Sequence, residues 1–307
     1  MKAPSTVNEE QMNDFARASD PIYETDEPIL YAVEGSTAWI MLNRPRFHNA
    51  QNGQLLYALD AAFRRALDDD AVKAIVLGGE GKHFSAGHDI GTPGRDVGVS
   101  HDRVHLVPDH VDKPAAEFLY TREHEVYLGL CRRWRAISKP TIAMVQGACI
   151  AGGLMLAWCC DLIVASEDAF FQDPVLMMGI PGVEYWAHPF ELPPRVAAEF
   201  LLLGERMSAQ RAHQFGMVNR VVSRENLRAE CQKIADRLAQ QPALGVWLTK
   251  QAISHAEDAR GKRTAMDAVY HMHHFAHAQN DLRLGSSIAN MDARAMAAAN
   301  KKQADEN

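Results

Sequence analysis

Cysteine is scarce in this chain: five in 307 residues, Cys131, Cys149, Cys159, Cys160 and Cys231, with no pair at CxxC spacing. That pattern excludes a disulfide-stapled scaffold and a cysteine-built metal module. Cys159 and Cys160 adjoin inside an apolar run and read as small buried hydrophobes. A reducing, cytoplasmic setting is expected. Long apolar runs are also missing. The longest, ACIAGGLMLAWCC, stops at Asp161 and is too short to span a bilayer, so no membrane partner is expected. The first residues, MKAPSTVNEEQMNDFARASDP, lack the apolar segment of a secretory signal. Positive charge is not in excess: the formal net charge is −7, and the densest basic group is RRWR at 132–135. No nucleic-acid footprint follows from that balance.

What is present suits an ordinary globular chain with room for a sizeable core, 47% hydrophobic and 23% charged. Residues 1–28 are polar and read as an extension. Tyr31–Val33 and Ala38–Leu42 read as strands joined at Glu34-Gly35-Ser36. Asn52 to Asp68 has helical spacing, with Leu55, Leu56, Leu59, Phe63 and Leu67 on one face. Ala71 to Gly78 reads as a buried strand, so strand, helix and strand suggest a βαβ unit and a parallel sheet. Residues 91–115 are a Gly-, Pro-, Asp- and His-rich loop, of the length that usually serves function. A helix is expected over 116–136, strands over 141–146 and 162–165, and helices over 196–203 and 208–215. From about residue 224 the pattern is helical. The expected organisation is a core over 29–223 and a C-terminal helical, oligomerising or capping region over 224–307.

Two stretches carry chemistry. Gly152 and Gly153 stand where a loop meets the apolar run LMLAWCC. A helix starting there directs free N–H groups and the positive end of its dipole forward. Ala86-Gly87-His88 follows the strand-like run KAIVLGG and offers a second unpaired N–H, from His88. Two such donors aimed at one oxygen would stabilise an enolate or a tetrahedral oxyanion.

Phe84-Ser85-Ala86-Gly87-His88-Asp89-Ile90 resembles the FxAGxDL motif of the crotonase (enoyl-CoA hydratase/isomerase) superfamily. Gly147 to Asp161 resembles its glycine-triplet motif, with Ala151 in place of the first glycine of the triplet. Leu42-Asn43-Arg44-Pro45 with Asn49-Ala50, and Met207-Ser208-Ala209 through Phe215-Gly216-Met217-Val218, resemble two further family segments. The four occur in family order across roughly residues 30–260. The resemblance implies an α/β fold, a ββα spiral core with C-terminal helices, and a homotrimer or hexamer. It implies an acyl-CoA thioester substrate, with no cofactor besides. Arg46, His48 and Ala50 would line the nucleotide and pantetheine path. Ala86, Gly87, Asp89 and Ile90 would frame the adenine. Arg46 reads equally as an exposed turn arginine, and the Asp89 side chain as a local turn or cap acceptor.

Hydratases of that family hold water between two glutamates. The matching positions here are Met155 and Val175, which exchange no protons and fall among the substrate-lining positions. Glu184, in GIPGVE, lies within one residue of the place where some relatives, such as dienoyl-CoA isomerases and chlorobenzoyl-CoA dehalogenases, keep a working aspartate. It is the leading acid/base candidate, and a helix-start carboxylate is its plainer reading. Asp173 (read first as a turn residue), His188, the His88 side chain and a histidine of the 101–110 loop are the others. The expected activity is therefore that of an atypical hydratase/isomerase-family enzyme, using the His88 and Gly152 N–H groups and Glu184. The alternative is an acyl-CoA-binding scaffold with little or no catalysis. His271, His273, His274 and His277 share a probable helix. His273 and His277, four apart, have metal-binding spacing. No third ligand stands at an obvious spacing, so an interface or solvated helix is expected there and no metal.

Overall fold

The computed structural model describes residues 27–91, 96, 99–103 and 106–288. The expected extension up to residue 26, parts of the 91–115 loop and the helical stretch past 288 lie outside the described residues. Nine strands are described: β1 Ile29–Glu34, β2 Thr37–Leu42, β3 Ala74–Gly79, β4 Thr141–Val145, β5 Ala148–Ile150, β6 Leu162–Ser166, β7 Phe170–Gln172, β8 Met207–Ser208 and β9 Arg220–Val222. The described helices are α1 Gly53–Asp68, α2 Ala115–Glu123, α3 Leu130–Arg135, α4 Gly152–Trp158, α5 His188–Glu191, α6 Pro194–Leu203, α7 Ala209–Gln214, α8 Leu227–Ala239, α9 Ala243–Ala259 and α10 Lys262–Leu284.

The larger sheet has the order β1-β2-β3-β4-β6-β9, antiparallel at β1–β2 and parallel beyond. Its inner strands β2, β3 and β4 are buried along their whole length, as expected inside a parallel sheet, while the edge strands β1 and β9 are partly exposed. Ala38, Ile40, Leu42, Ile75, Leu77, Ala143 and Val145 point into the main core. The alternate residues Trp39, Met41, Ala74, Val76, Ile142 and Met144 meet Leu227, Cys231, Ile234 and Ala235 of α8. A smaller sheet, β5-β7-β8, runs beside it. β4 with β5, and then β6 with β7, each set a large-sheet strand before a small-sheet strand, as in a ββα spiral. α1 starts where the Asn52 side chain accepts from the Leu55 amide at 3.0 Å. It buries Leu55, Leu56, Leu59 and Phe63 against the sheet.

Two local expectations need correction, and the three short strands of the smaller sheet were not anticipated. The strand expected from Ala71 starts at Ala74, because Asp69 closes a turn on Ala71 and Val72. β5, β7 and β8 are two or three residues long, too short for a periodicity to register. The helix expected over 116–136 is interrupted by a π-helical turn, His124–Gly129. Such wide turns recur at functional sites, and this one faces the pocket described below. Among the described residues no helix is long and apolar enough to cross a membrane.

Candidate active site

The two turns named from sequence are laced together. Ser85 bridges Cys149, with the Ser85 amide donating to Ala148 O at 3.1 Å and the Ile150 amide to Ser85 O at 3.0 Å. Gly87 has φ +95, and a Cβ there would sit 2.8 Å from Ile150 O and 3.1 Å from Gly152 N. Only glycine permits that approach. Gln51 pairs with this turn through Gly87 O and the Asp89 amide, which leaves the intervening His88 N–H out. The Gly152 N–H belongs to the first turn of α4 and has no intrahelical partner. Neither amide donates to a protein acceptor among the described residues.

The His88 imidazole turns into the same pocket. It lies against Gly152 and stacks on Tyr127 with ring centroids 3.6 Å apart. Burial first, then the charges of Arg122 and two histidines, depress its pKa to about 3, so it is neutral near pH 7. Tyr127, on the π-turn, accepts from Arg122 Nη1 at 3.2 Å. Neither residue stood out in the sequence. Their signal is a break in helical register that periodicity does not report.

Glu184 is 3% exposed. Its Oε1 lies 3.6 Å from His88 Nδ1 and 3.6 Å from His273 Nε2, while Oε2 has no hydrogen-bond partner. Burial pushes its pKa up to about 8, the charge of Glu123 adding to the rise and His273 opposing it. The Glu184 carboxyl thus lies against the His88 ring. Glu184 is no exposed helix-start residue.

Asp173 and His188 are close to that loop but play another part. The Asp173 carboxylate accepts from the Val175 and Val183 amides, each at 3.2 Å, and pairs with His188 Nε2 at 2.8 Å. Both side chains are fully enclosed. They pin the Gly179–Glu184 loop, which supports the turn reading of Asp173. Of the loop histidines, His105 lies outside the described residues, His101 pairs with Asp96 and lies on Tyr57, and His110 packs on Phe118. Neither His101 nor His110 is among the groups around Glu184. Met155 and Val175 are buried in the main core and bring no carboxylate there.

The histidine helix corrects an expectation. α10 does not present His273 and His277 to solvent: they are 3% and 6% exposed, facing Glu123 at the end of α2. The third group was invisible in sequence because it lies 150 residues earlier.

The residues of the Pro45–Phe47 turn and the Ala86–Ile90 segment form one strip. The Ala86 amide donates to His48 O at 2.9 Å, and Ala50 is buried beside it. Arg46 and His48 are exposed on the short 3-10 turn Pro45–Phe47 and its end. Ile90 packs on Met178 and Ile180. The Asp89 side chain is not a simple turn acceptor: it pairs with the buried Arg44 Nη1 at 2.9 Å. Arg44 thereby ties the Ala86–Ile90 segment to the 3-10 turn, a role its place in the LNRP motif did not reveal.

A family model described as enoyl-CoA hydratase/isomerase matches residues 32–104 and 115–293. EchA13 of Mycobacterium tuberculosis (strain ATCC 25618 / H37Rv), which carries a provisional enoyl-CoA hydratase name, is 39% identical over 254 residues, 80% of this chain and 78% of that protein. The 1,2-epoxyphenylacetyl-CoA isomerase of Escherichia coli (strain K12) is 31% identical over 240 residues, 75% of this chain and 83% of the isomerase. A solved structure of a probable enoyl-CoA hydratase from Mycobacterium thermoresistibile superposes with a TM-score of 0.78 at 43% identity, over 86% of this chain and 100% of that one. With the spiral core, the paired turns and these matches together, the chain belongs to the enoyl-CoA hydratase/isomerase (crotonase) family.

Proposed function

We propose that this enzyme acts on an acyl-CoA thioester by stabilising its enolate and moving one proton with Glu184. The observation that carries the reading is the buried carboxyl of Glu184 against the His88 ring, next to two turns whose His88 and Gly152 amides have no protein acceptor among the described residues, with Met155 and Val175 read as the hydratase positions. The thioester oxygen accepts from the His88 and Gly152 N–H groups, whose hydrogen bonds strengthen as charge develops on it. A carboxylate with a raised pKa is a stronger base than an ordinary one. It removes a proton from Cα of a β,γ-unsaturated thioester and returns it at Cγ, which shifts the double bond into conjugation. One carboxyl suffices for that shuttle, whereas holding and splitting water takes two. That a 31%-identical relative is named as an isomerase is in keeping with this reading.

Arg46, His48 and Ala50 with Ala86, Gly87, Asp89 and Ile90 hold the coenzyme, Asp89 by fixing the turn through Arg44. Met155 and Val175 act as apolar lining rather than as chemical groups. A homotrimer or hexamer is proposed as well. Its support is the exposed Leu244, Trp247, Leu248 and Ile253 on α9 and Phe275 on α10.

The test is Glu184→Gln against a panel of β,γ- and α,β-unsaturated acyl-CoA thioesters. The expected result is unchanged thioester affinity and turnover lower by ~10²–10⁴-fold. Clear crotonyl-CoA hydration that survives the substitution would overturn the assignment. Tight thioester binding with no turnover of the unaltered protein would favour the scaffold reading.

A further inference from the structure

The buried histidines of α10 make a contact that a neutral protein interior does not supply on its own. His273 Nδ1 lies 2.8 Å from Gly182 O, and His277 Nδ1 lies 2.7 Å from Ser287 O. A carbonyl oxygen only accepts, so each Nδ1 carries the hydrogen. In the neutral ring each Nε2 is then a bare lone pair. The two Nε2 atoms nonetheless face each other at 2.9 Å. Two lone pairs at that distance repel unless a positive centre lies between them.

A third donor completes a triangle. Glu123 Oε2 is 3.6 Å from His273 Nε2 and 3.9 Å from His277 Nε2, and it has no hydrogen-bond partner. All three donor atoms lie within 4.8 Å of one another. Tetrahedral coordination with bonds of about 2.0–2.2 Å sets neighbouring donors roughly 3.3–3.6 Å apart. The three separations bracket that range. The backbone carbonyls on the far side of each ring are the outer partners that metal-bound histidines ordinarily have. The spacing of the two histidines, one helical turn apart, places both on one face of α10.

We propose that Glu123, His273 and His277 form a binding site for one divalent transition-metal ion of the zinc class. Two imidazoles and one carboxylate suit zinc, cobalt or nickel, whereas calcium and magnesium take sets of oxygen donors. Three protein ligands leave a fourth position open. Glu184 Oε1, 3.6 Å from His273 Nε2, lies beside the triangle. The ion therefore sits beside Glu184. The site stands on its own geometry and holds whether or not Glu184 moves the proton.

The experiment is titration of Zn²⁺ alone into the untagged, chelator-stripped full chain, followed by calorimetry and metal analysis, with no thioester present. We expect one Zn²⁺ per chain with a Kd below ~1 μM. Co²⁺ in its place should give the intense visible bands of a four-coordinate ion. His277→Ala should abolish the tight site, and Glu123→Gln, which keeps the side-chain shape, should weaken it by at least ~10-fold. His255→Ala, at an exposed position on α9, should change nothing. Should His277→Ala fail to fold, Glu123→Gln decides. No uptake at ~100 μM Zn²⁺ would overturn the proposal in favour of a proton shared between the two rings. Uptake that survives both ligand substitutions would overturn it as well.

Discussion

Gly152→Ala tests the pocket at its tightest point. A Cβ on residue 152 would lie 2.5 Å from His88 Cδ2, 2.6 Å from His88 Nε2 and 3.0 Å from Gln51 Oε1. Ordinary carbon contacts begin near ~3.5 Å, so the imidazole must retreat by about 1 Å. It has little room, because Tyr127 stacks on the ring at 3.6 Å with planes 7° apart. Overpacking of this kind costs ~1–3 kcal/mol, or a melting temperature lower by several degrees. The displaced turn also pulls one amide off the thioester oxygen, which should lower turnover by ~10²–10³-fold. Thioester affinity should change little if, as proposed, the coenzyme end is held at residues 46–50 and 86–90. The discriminating arm is Gly152→Ala combined with His88→Ala. That variant keeps the backbone N–H of residue 88 and removes the ring that is struck. Chemical denaturation of the four proteins should show a favourable coupling of ~1–2 kcal/mol between the two sites. Strict additivity would refute the argument, since the clash would then not run through His88.

Other outcomes follow from the same geometry. Met155→Glu puts a carboxylate into the main core at a position 1% exposed. It should cost ~3–5 kcal/mol by denaturant titration, with no more than a slight gain in crotonyl-CoA hydration, because Val175 supplies no second carboxylate. Ala151 has φ +48 and ψ −113, a strained setting for a residue with a Cβ, worth ~1–3 kcal/mol. Ala151→Gly removes that strain but frees the unfolded chain by ~0.5–1 kcal/mol, so a net gain of ~0–2 kcal/mol is expected. Light scattering should give three or six chains per particle, and Trp247→Glu, at a position 40% exposed, should shift the mass downward. A monomer across a wide dilution series would count against the oligomer.

Five strands of the larger sheet were legible because they are long enough to carry a pattern: Ala38–Leu42 and the run before Gly79 are buried along their whole length, while the three-residue β9 was not anticipated. The two amide turns were legible because glycine marks them, and Gly87 with its positive φ is a position few other residues could fill. What stayed hidden depended on distance in the chain. Glu123 meets His273 across two helices, Tyr127 meets His88 across a π-turn, and Arg44 meets Asp89 across 45 residues. None of these pairings leaves a periodic trace. The burial of the histidine face of α10 was hidden for a related reason. A helix with Phe275 exposed and His277 buried inverts the usual polarity, and hydropathy alone assigns its faces the wrong way round.

That inversion also bears on how the pocket came to hold its charges. Met155 and Val175, proposed to stand where hydratases keep their two glutamates, lie in the apolar core. The polar groups enter from the opposite side: Glu184 from the loop after β7, Glu123 from α2, His273 and His277 from α10. Each of these lies 7% exposed or less. An isolated buried carboxyl or imidazole is costly, and the cost falls only when such groups face one another. Glu123 and Glu184 both lie 3.6 Å from His273 Nε2, so His273 is the hub through which the two carboxyls share their surroundings. Removing it by His273→Ala would leave two buried acids without their common neighbour. The chemistry of this pocket is therefore inseparable from the packing of α10. A variant of α10 that keeps its length but loses His273 should disturb the site more than any single change on the coenzyme strip.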